Sequence, residues 1–166
     1  MTCWNWLPES QLSRFRPSLV AQMAFLSRAE YEELVYAVVS GHPDVVSSSL
    51  HLYTASQGTA IVRGAVRFRN GLELRVSEVV DFVAGRISDY SYTVFKGKER
   101  VGWFDPQPHP EVPDLASTFP HHYHEPPDIK HNRQPAPGIS FTEPNLPTLL
   151  TQVARMAPPS GELLRE

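Results

Sequence analysis

The chain has 166 residues, 41% hydrophobic and 20% charged, which reads as one soluble globular domain large enough to bury a core. Its formal net charge of -3 gives no global attraction to nucleic acid, so an anionic partner has to be held by a local basic patch. The single cysteine, Cys3, excludes an internal disulfide and a cysteine-based metal site and fits the reducing cytoplasm.

Residues 1–26 form an N-terminal extension in which Trp4, Trp6 and Leu7 are apolar and Pro8 and Pro17 interrupt any long helix. The apolar run Leu19–Leu26 is too short to span a bilayer, so no membrane partner is expected. Ser27 opens a capping box with Glu30, and Tyr31, Leu34, Val35 and Val38 recur at helical spacing until Gly41. From Val45 to Asp105 the period becomes two, giving an antiparallel meander of about five strands at 45–55, 59–69, 72–83, 87–96 and 100–105. A three-residue Arg69-Asn70-Gly71 loop with left-handed Gly71 keeps apolar residues on one face. It sets Val66 against Leu74, Gly64 against Val76 and Arg67 against Glu73.

That register also puts Glu78 on the apolar face, opposite Val62, where a lone carboxylate is costly unless paired or metal-bound. A second three-residue loop, Ala84-Gly85-Arg86, predicts Tyr92 opposite Glu78 and Tyr90 opposite Val80. The arginines Arg63, Arg67, Arg69 and Arg75 read first as a solvated face partly neutralised by Glu73, with nucleic-acid contact the minority option. His42 and His51 read as structural.

Residues 105–140 form a Pro/His-rich loop whose length marks it as functional. Asn145 then caps a helix with Leu146, Leu149, Leu150 and Val153 on one face, closed by Pro158-Pro159 before a frayed tail at 158–166. The fold class is therefore α+β: the meander packed with an N-terminal and a C-terminal helix, in a single domain over 27–157.

Five of the seven histidines lie between Trp103 and Arg133. An extended backbone puts His122 and His124 on one side, whereas a helical turn joins His121 and His124. With Asp105, His109 or Glu78 they form a ligand set for a divalent metal with an open position, the metal set being His122, His124 and Asp105. Without metal, two histidines act as base and acid on an RNA 2'-hydroxyl and its leaving oxygen while Lys130 or Arg133, with His131 beside them, holds the phosphate. A third reading keeps the histidines solvated or bonded to loop carbonyls. Tyr92 joins the candidate catalytic set as the phenol nearest Glu78. No glycine-rich phosphate loop, nucleophile elbow or His-Glu-x-x-His helix is present.

The order of motifs resembles the TumE-like toxins of bacterial toxin-antitoxin pairs over about residues 28–156. It is carried by Val76-Ser77-Glu78, Tyr90-Ser91-Tyr92, Phe104-Asp105-Pro106, His109-Pro110-Glu111 and Phe119-Pro120-His121-His122-Tyr123-His124. The resemblance implies a small cytoplasmic toxin, an antitoxin carrying a helix-turn-helix module, and RNA as target. Members of the family commonly carry Arg-Tyr-Asp where this chain has Trp103-Phe104-Asp105, so a phosphate clamp has to come from Arg133 or Lys130. Residues 1–26 lack a counterpart there and are assigned to an oligomer contact, such as a homodimer, or to a partner. A non-catalytic binding module, its long loop docking a protein or small ligand, is the alternative reading.

Overall fold

The computed structural model describes residues 25–156. The expected N-terminal extension, apart from its last two residues, and the expected tail lie outside the described residues.

Helix α1 (Arg28–Tyr36) starts where the capping box predicts, with Glu30 N–H donating to Ser27 Oγ and Ser27 N–H donating to Glu30 Oε2. A short α2 (Val38–Gly41) completes the predicted helical segment to Gly41. The strands are β1 (Val45–Ser48), β2 (His51–Thr54), β3 (Thr59–Phe68), β4 (Leu72–Asp81), β5 (Arg86–Lys96) and β6 (Glu99–Asp105). A 3-10 helix (Pro113–Thr118), β7 (His122–His124), β8 (Arg133–Pro135) and α3 (Leu146–Arg155) follow. All pairings are antiparallel, in the order β1-β3-β4-β5-β6-β7-β8, with β2 also on β3. The α+β class stands, with an eight-stranded sheet in place of about five strands.

Two of the extra strands come from the segment read as loop. β7 and β8 are three residues each, too short for a period of two to register, and they exist because β6 offers β7 an edge to pair with and β7 in turn offers one to β8. The third comes from the predicted 45–55 strand, which is split at Ser49–Leu50 opposite Gly64. Gly64 has φ 144, and a Cβ there would lie 2.3 Å from the Ser49 carbonyl oxygen, so only glycine admits this close crossing.

The β3–β4 register is the predicted one: Val66 pairs with Leu74, Gly64 with Val76, Arg67 with Glu73 and Val62 with Glu78, and Gly71 has φ 81. The β4–β5 register is not. Asp81 pairs with Arg86, so the loop is the four residues Phe82 to Gly85, and a bulge then brings Tyr90, not Tyr92, opposite Glu78. The Asp81 carboxylate is the cause: its Oδ1 accepts from Val83 and Ala84 N–H at 2.9 Å each, and Gly85 closes the turn at φ 63. The shift preserves the face, because paired residues share a side of the sheet.

All three helices cover one face. Tyr31, Val35, Val38, Leu146, Leu149, Leu150 and Val153 pack there against Val62, Val66, Leu74, Tyr92 and Val94. Asn70, in the β3–β4 turn, donates to the Val153 carbonyl at 2.9 Å, which also accepts from Met156 N–H, and so ties the turn to the α3 end. No helix among the described residues is long and apolar enough to cross a membrane.

The Gly64 crossing generates a prediction. Gly64→Ala forces Ser49 and Leu50 away and strains the backbone, lowering unfolding free energy by about 2 kcal/mol or more. Urea unfolding measures it, and an unchanged midpoint would contradict the close approach.

Candidate functional site

The period of two separates the candidate residues into two assemblies on opposite faces of the sheet. Tyr92 pairs with Phe104 and Phe104 with Tyr123, so these share the helix-covered face with Glu78 and Tyr90. Asp105 pairs with His122, and Trp103 with His124, and these four occupy the outer face.

On the outer face Asp105, His122 and His124 each offer a ligand atom within 4.8 Å of the others, all three residues being buried. His122 Nε2 lies 2.9 Å from His124 Nε2, and the two nitrogens lie 3.4 Å from Asp105 Oδ1 and Oδ2 respectively. His122 Nδ1 sits 3.2 Å from the Pro120 carbonyl; donation there leaves the His122 Nε2 lone pair free. Asp105 Oδ1 accepts from Gln107 N–H at 2.9 Å, while the buried Oδ2 has no hydrogen-bond partner. His124 Nδ1 also lacks a partner of hydrogen-bonding geometry, although the Ile129 backbone favours its charged form. Burial, and then the neighbouring His122, nevertheless hold the His124 pKa below the usual range. Trp103 stacks on His124 at 4.7 Å, and His109 meets His122 edge-on at 5.0 Å while its Nδ1 bonds Glu111 Oε1 at 3.1 Å.

Arg133 pairs with His124 across β7–β8 and so lies on the same outer face; its buried Nε has no partner. Lys130 and His131 are exposed, and His131 is held by Asp128 at 2.9 Å in the intervening turn rather than in the cluster.

The inner assembly centres on Glu78, which is fully buried. Its Oε2 accepts from Tyr31 at 2.8 Å and its Oε1 from Tyr92 at 2.6 Å. Asn145 donates to the Tyr92 oxygen at 2.9 Å. Burial raises the Glu78 pKa against the opposing hydrogen bonds of the two phenols, and burial with the Glu78 charge raises those of Tyr31 and Tyr92. Tyr90 stacks on Tyr92 at 4.6 Å and bonds His121 Nδ1 at 2.7 Å. Burial, then His122, lowers the His121 pKa.

Of the predicted site residues, the fold thus gathers Asp105, His122, His124, His109 and Arg133. It sends Glu78, Tyr92 and His121 to the other face and leaves Lys130 and His131 outside. The expectation that one surface carries both Glu78 and the histidine loop is corrected by strand parity. Sequence reasoning missed Tyr31, read as an apolar helix position, and Asn145, read as a cap. Asn145 does stand at the N-cap of α3, but its side chain accepts from Ser140 N–H and donates to Tyr92 instead. The signal for both was Glu78 itself, since a buried carboxyl requires donors.

An antiparallel sheet that brings a carboxylate and two imidazoles together beside a guanidinium defines a small α+β protein with a polar cluster fit for ligating an ion or handling protons. Residues 33–157 match the family described as Toxin TumE, and the chain belongs to that family. It is a toxin component of a toxin-antitoxin system, which implies an antitoxin as partner. Neither the curated proteins nor the solved structures gave a match.

The raised Glu78 pKa has a sign. The folded state holds this proton more tightly than the unfolded one, so its contribution to stability is complete below the ordinary value of 4.5 and is lost as pH rises through the folded value. The stability of Glu78→Gln relative to wild type should therefore rise with pH from about 4.5 upward. Urea unfolding at a series of pH values measures it; a difference independent of pH would refute the raised pKa.

Proposed function

We propose that this toxin is a metal-assisted nuclease that cleaves RNA at Asp105, His122 and His124. One observation carries the reading: two imidazole Nε2 atoms 2.9 Å apart share a side with a carboxylate whose buried Oδ2 has no hydrogen-bond partner. A direct bond between the imidazoles uses one proton and one lone pair, and still leaves Asp105 Oδ2 uncompensated. A divalent cation bound among the three satisfies all the lone pairs at once, and two histidines with one carboxylate match catalytic sites that keep an open position.

Such an ion, when bound, polarises a phosphoryl oxygen and lowers the pKa of water. The chain supplies the rest. Arg133, on the same face, neutralises the phosphate through a guanidinium suited to bidentate contact. His109, oriented by Glu111 and lying against His122, is the proton carrier for the departing oxygen. Pro120 and Gln107 orient the ligands. Glu78, Tyr92, Tyr31 and Asn145 act as positioning residues: they hold α1, β4, β5 and the start of α3 together on the other face of the sheet. Lys130 and His131, exposed in the β7–β8 turn, contact the substrate backbone farther out. The antitoxin in this reading carries a helix-turn-helix module, and the pair acts in the cytoplasm, where RNA is found.

The metal-free reading has one observation in its favour, the proton that His122 and His124 are close enough to share. A chelator separates the two. Purified protein should cleave single-stranded RNA with a divalent ion present, lose at least about a hundredfold in rate with chelator, and lose a similar factor in His122→Ala and Asp105→Asn. Cleavage indifferent to chelator but abolished by His122→Ala selects the acid-base scheme, and equal, negligible cleavage by all versions removes the nuclease reading. Thermal unfolding reads the site without activity. Manganese or zinc should raise the midpoint of wild type but not of Asp105→Asn, by mass action of an ion that binds only the folded state. In cells, expression should arrest growth, and His124→Ala should relieve the arrest.

A further inference from the structure

The outer face of the sheet has no function in the account above except at its β6–β7 end. Its residues follow from the register. From β3 come Arg63 and Arg67, from β4 Glu73 and Arg75, from β5 Thr93 and Phe95, from β6 Arg100 and Trp103, and then His124 from β7. The helices bury their apolar residues on the other face, so this one stays partly or fully exposed between β3 and the cluster.

Its chemistry is not that of an ordinary charged surface. The Arg75 guanidinium lies over the Phe95 ring at 4.1 Å, the Arg100 guanidinium over Trp103 at 5.5 Å, and Trp103 stacks on His124 at 4.7 Å. Cation and planar ring therefore alternate across three neighbouring strands and end on a residue of the Asp105 cluster. Two of the arginines, Arg67 and Arg75, share the carboxylate of Glu73, and Asp89 lies on the same face near Trp103. Those arginine side chains remain 71% and 57% exposed, so both have free donors left, and the local charge is positive although the chain as a whole is negative. Beside Trp103, whose indole N–H donates to Ser91 Oγ at 3.1 Å, a cleft of about 310 Å3 opens against Asp89, Asp105 and Gln107.

We propose that this face is the track of a single-stranded RNA, its bases stacking on the Phe95–Arg75 and Trp103–Arg100 pairs and its phosphates meeting the arginines, so that the strand enters the cleft beside Asp105. Alternating rings and guanidinium planes suit unpaired bases, which offer both faces for stacking, and do not suit a duplex, whose bases are already stacked. An exposed arginine ladder suits phosphates, while an acidic polypeptide would use the charge and leave the rings idle. The proposal rests on the reading of the Asp105 cluster as a nuclease site and names how its substrate is held.

Anisotropy of a labelled single-stranded RNA dodecamer, with the full chain in the non-cleaving Asp105→Asn background and without divalent ions, tests it. Phe95→Ala and Arg75→Gln lie away from the cluster and are the diagnostic variants. Each should weaken binding by about tenfold, Arg75→Gln should also lower the salt dependence by about one unit of slope, and the matching duplex should bind more weakly than the single strand. Unchanged circular dichroism, and an unchanged divalent-ion effect on thermal unfolding when each substitution is made in the wild-type chain, identify folded variants; a variant failing either is replaced by Phe95→Leu or Arg75→Lys, for which about a threefold loss is expected. Full affinity in folded variants overturns the track, as does polyglutamate competing as well as RNA with no effect of Phe95→Ala. Loss of binding in both variants while wild type cleaves nothing upholds the track and removes the nuclease reading instead.

Discussion

The pairing of β6 with β7 is the contact on which the site depends. Three residue pairs join these strands, and two of them, Asp105 with His122 and Trp103 with His124, bring residues about 20 positions apart in the chain to one side of the sheet. Because side chains alternate with a period of two, a slip of one residue in this short pairing would turn both histidines toward the hydrophobic core and point Tyr123 outward. Tyr123 resists that slip. It packs beside Phe104 at 4.6 Å and lies so close to Gly102 that a Cβ there would meet its hydroxyl at 2.7 Å. Apolar packing on one face thus holds the register that gathers polar ligands on the other.

The same sheet carries a second polar assembly with a different physical task. Glu78, Tyr31, Tyr92 and Asn145 link α1, β4, β5 and the start of α3 inside an apolar core. A buried carboxyl with two phenol donors contributes specificity of assembly more surely than stability, because each missing partner would leave a desolvated polar group. Tyr90, stacked on Tyr92 and bonded to His121, carries this network to the residue next to His122. The two faces are therefore mechanically connected through consecutive residues of one strand entry, although their side chains point apart.

Much of the fold is legible in the sequence. The Ser27–Glu30 box, the β3–β4 register with left-handed Gly71 and the apolar stripe of α3 all rest on neighbours within a few residues, where local rules are strong. The β4–β5 register was not, because the Asp81 side chain chose a four-residue loop and a bulge over a shorter turn. β7 and β8 were not, because three-residue strands among prolines have no periodicity of their own. Glu78 was correctly placed on the apolar face but wrongly joined to the histidines, an error that only the path of the chain through the 3-10 helix into β7 could correct.

The sequence by itself determined the α+β class, the resemblance to the toxin family and the residue types from which a site can be made, since composition, caps and hairpin turns act over short range. The tertiary structure alone decided which of those residues meet. It selected Asp105, His122 and His124, set His109 and Arg133 beside them, and excluded His121 and Glu78. The choice depends on pairing between strands separated by a long connection and on the parity of each pairing, and no local preference along the chain carries that information.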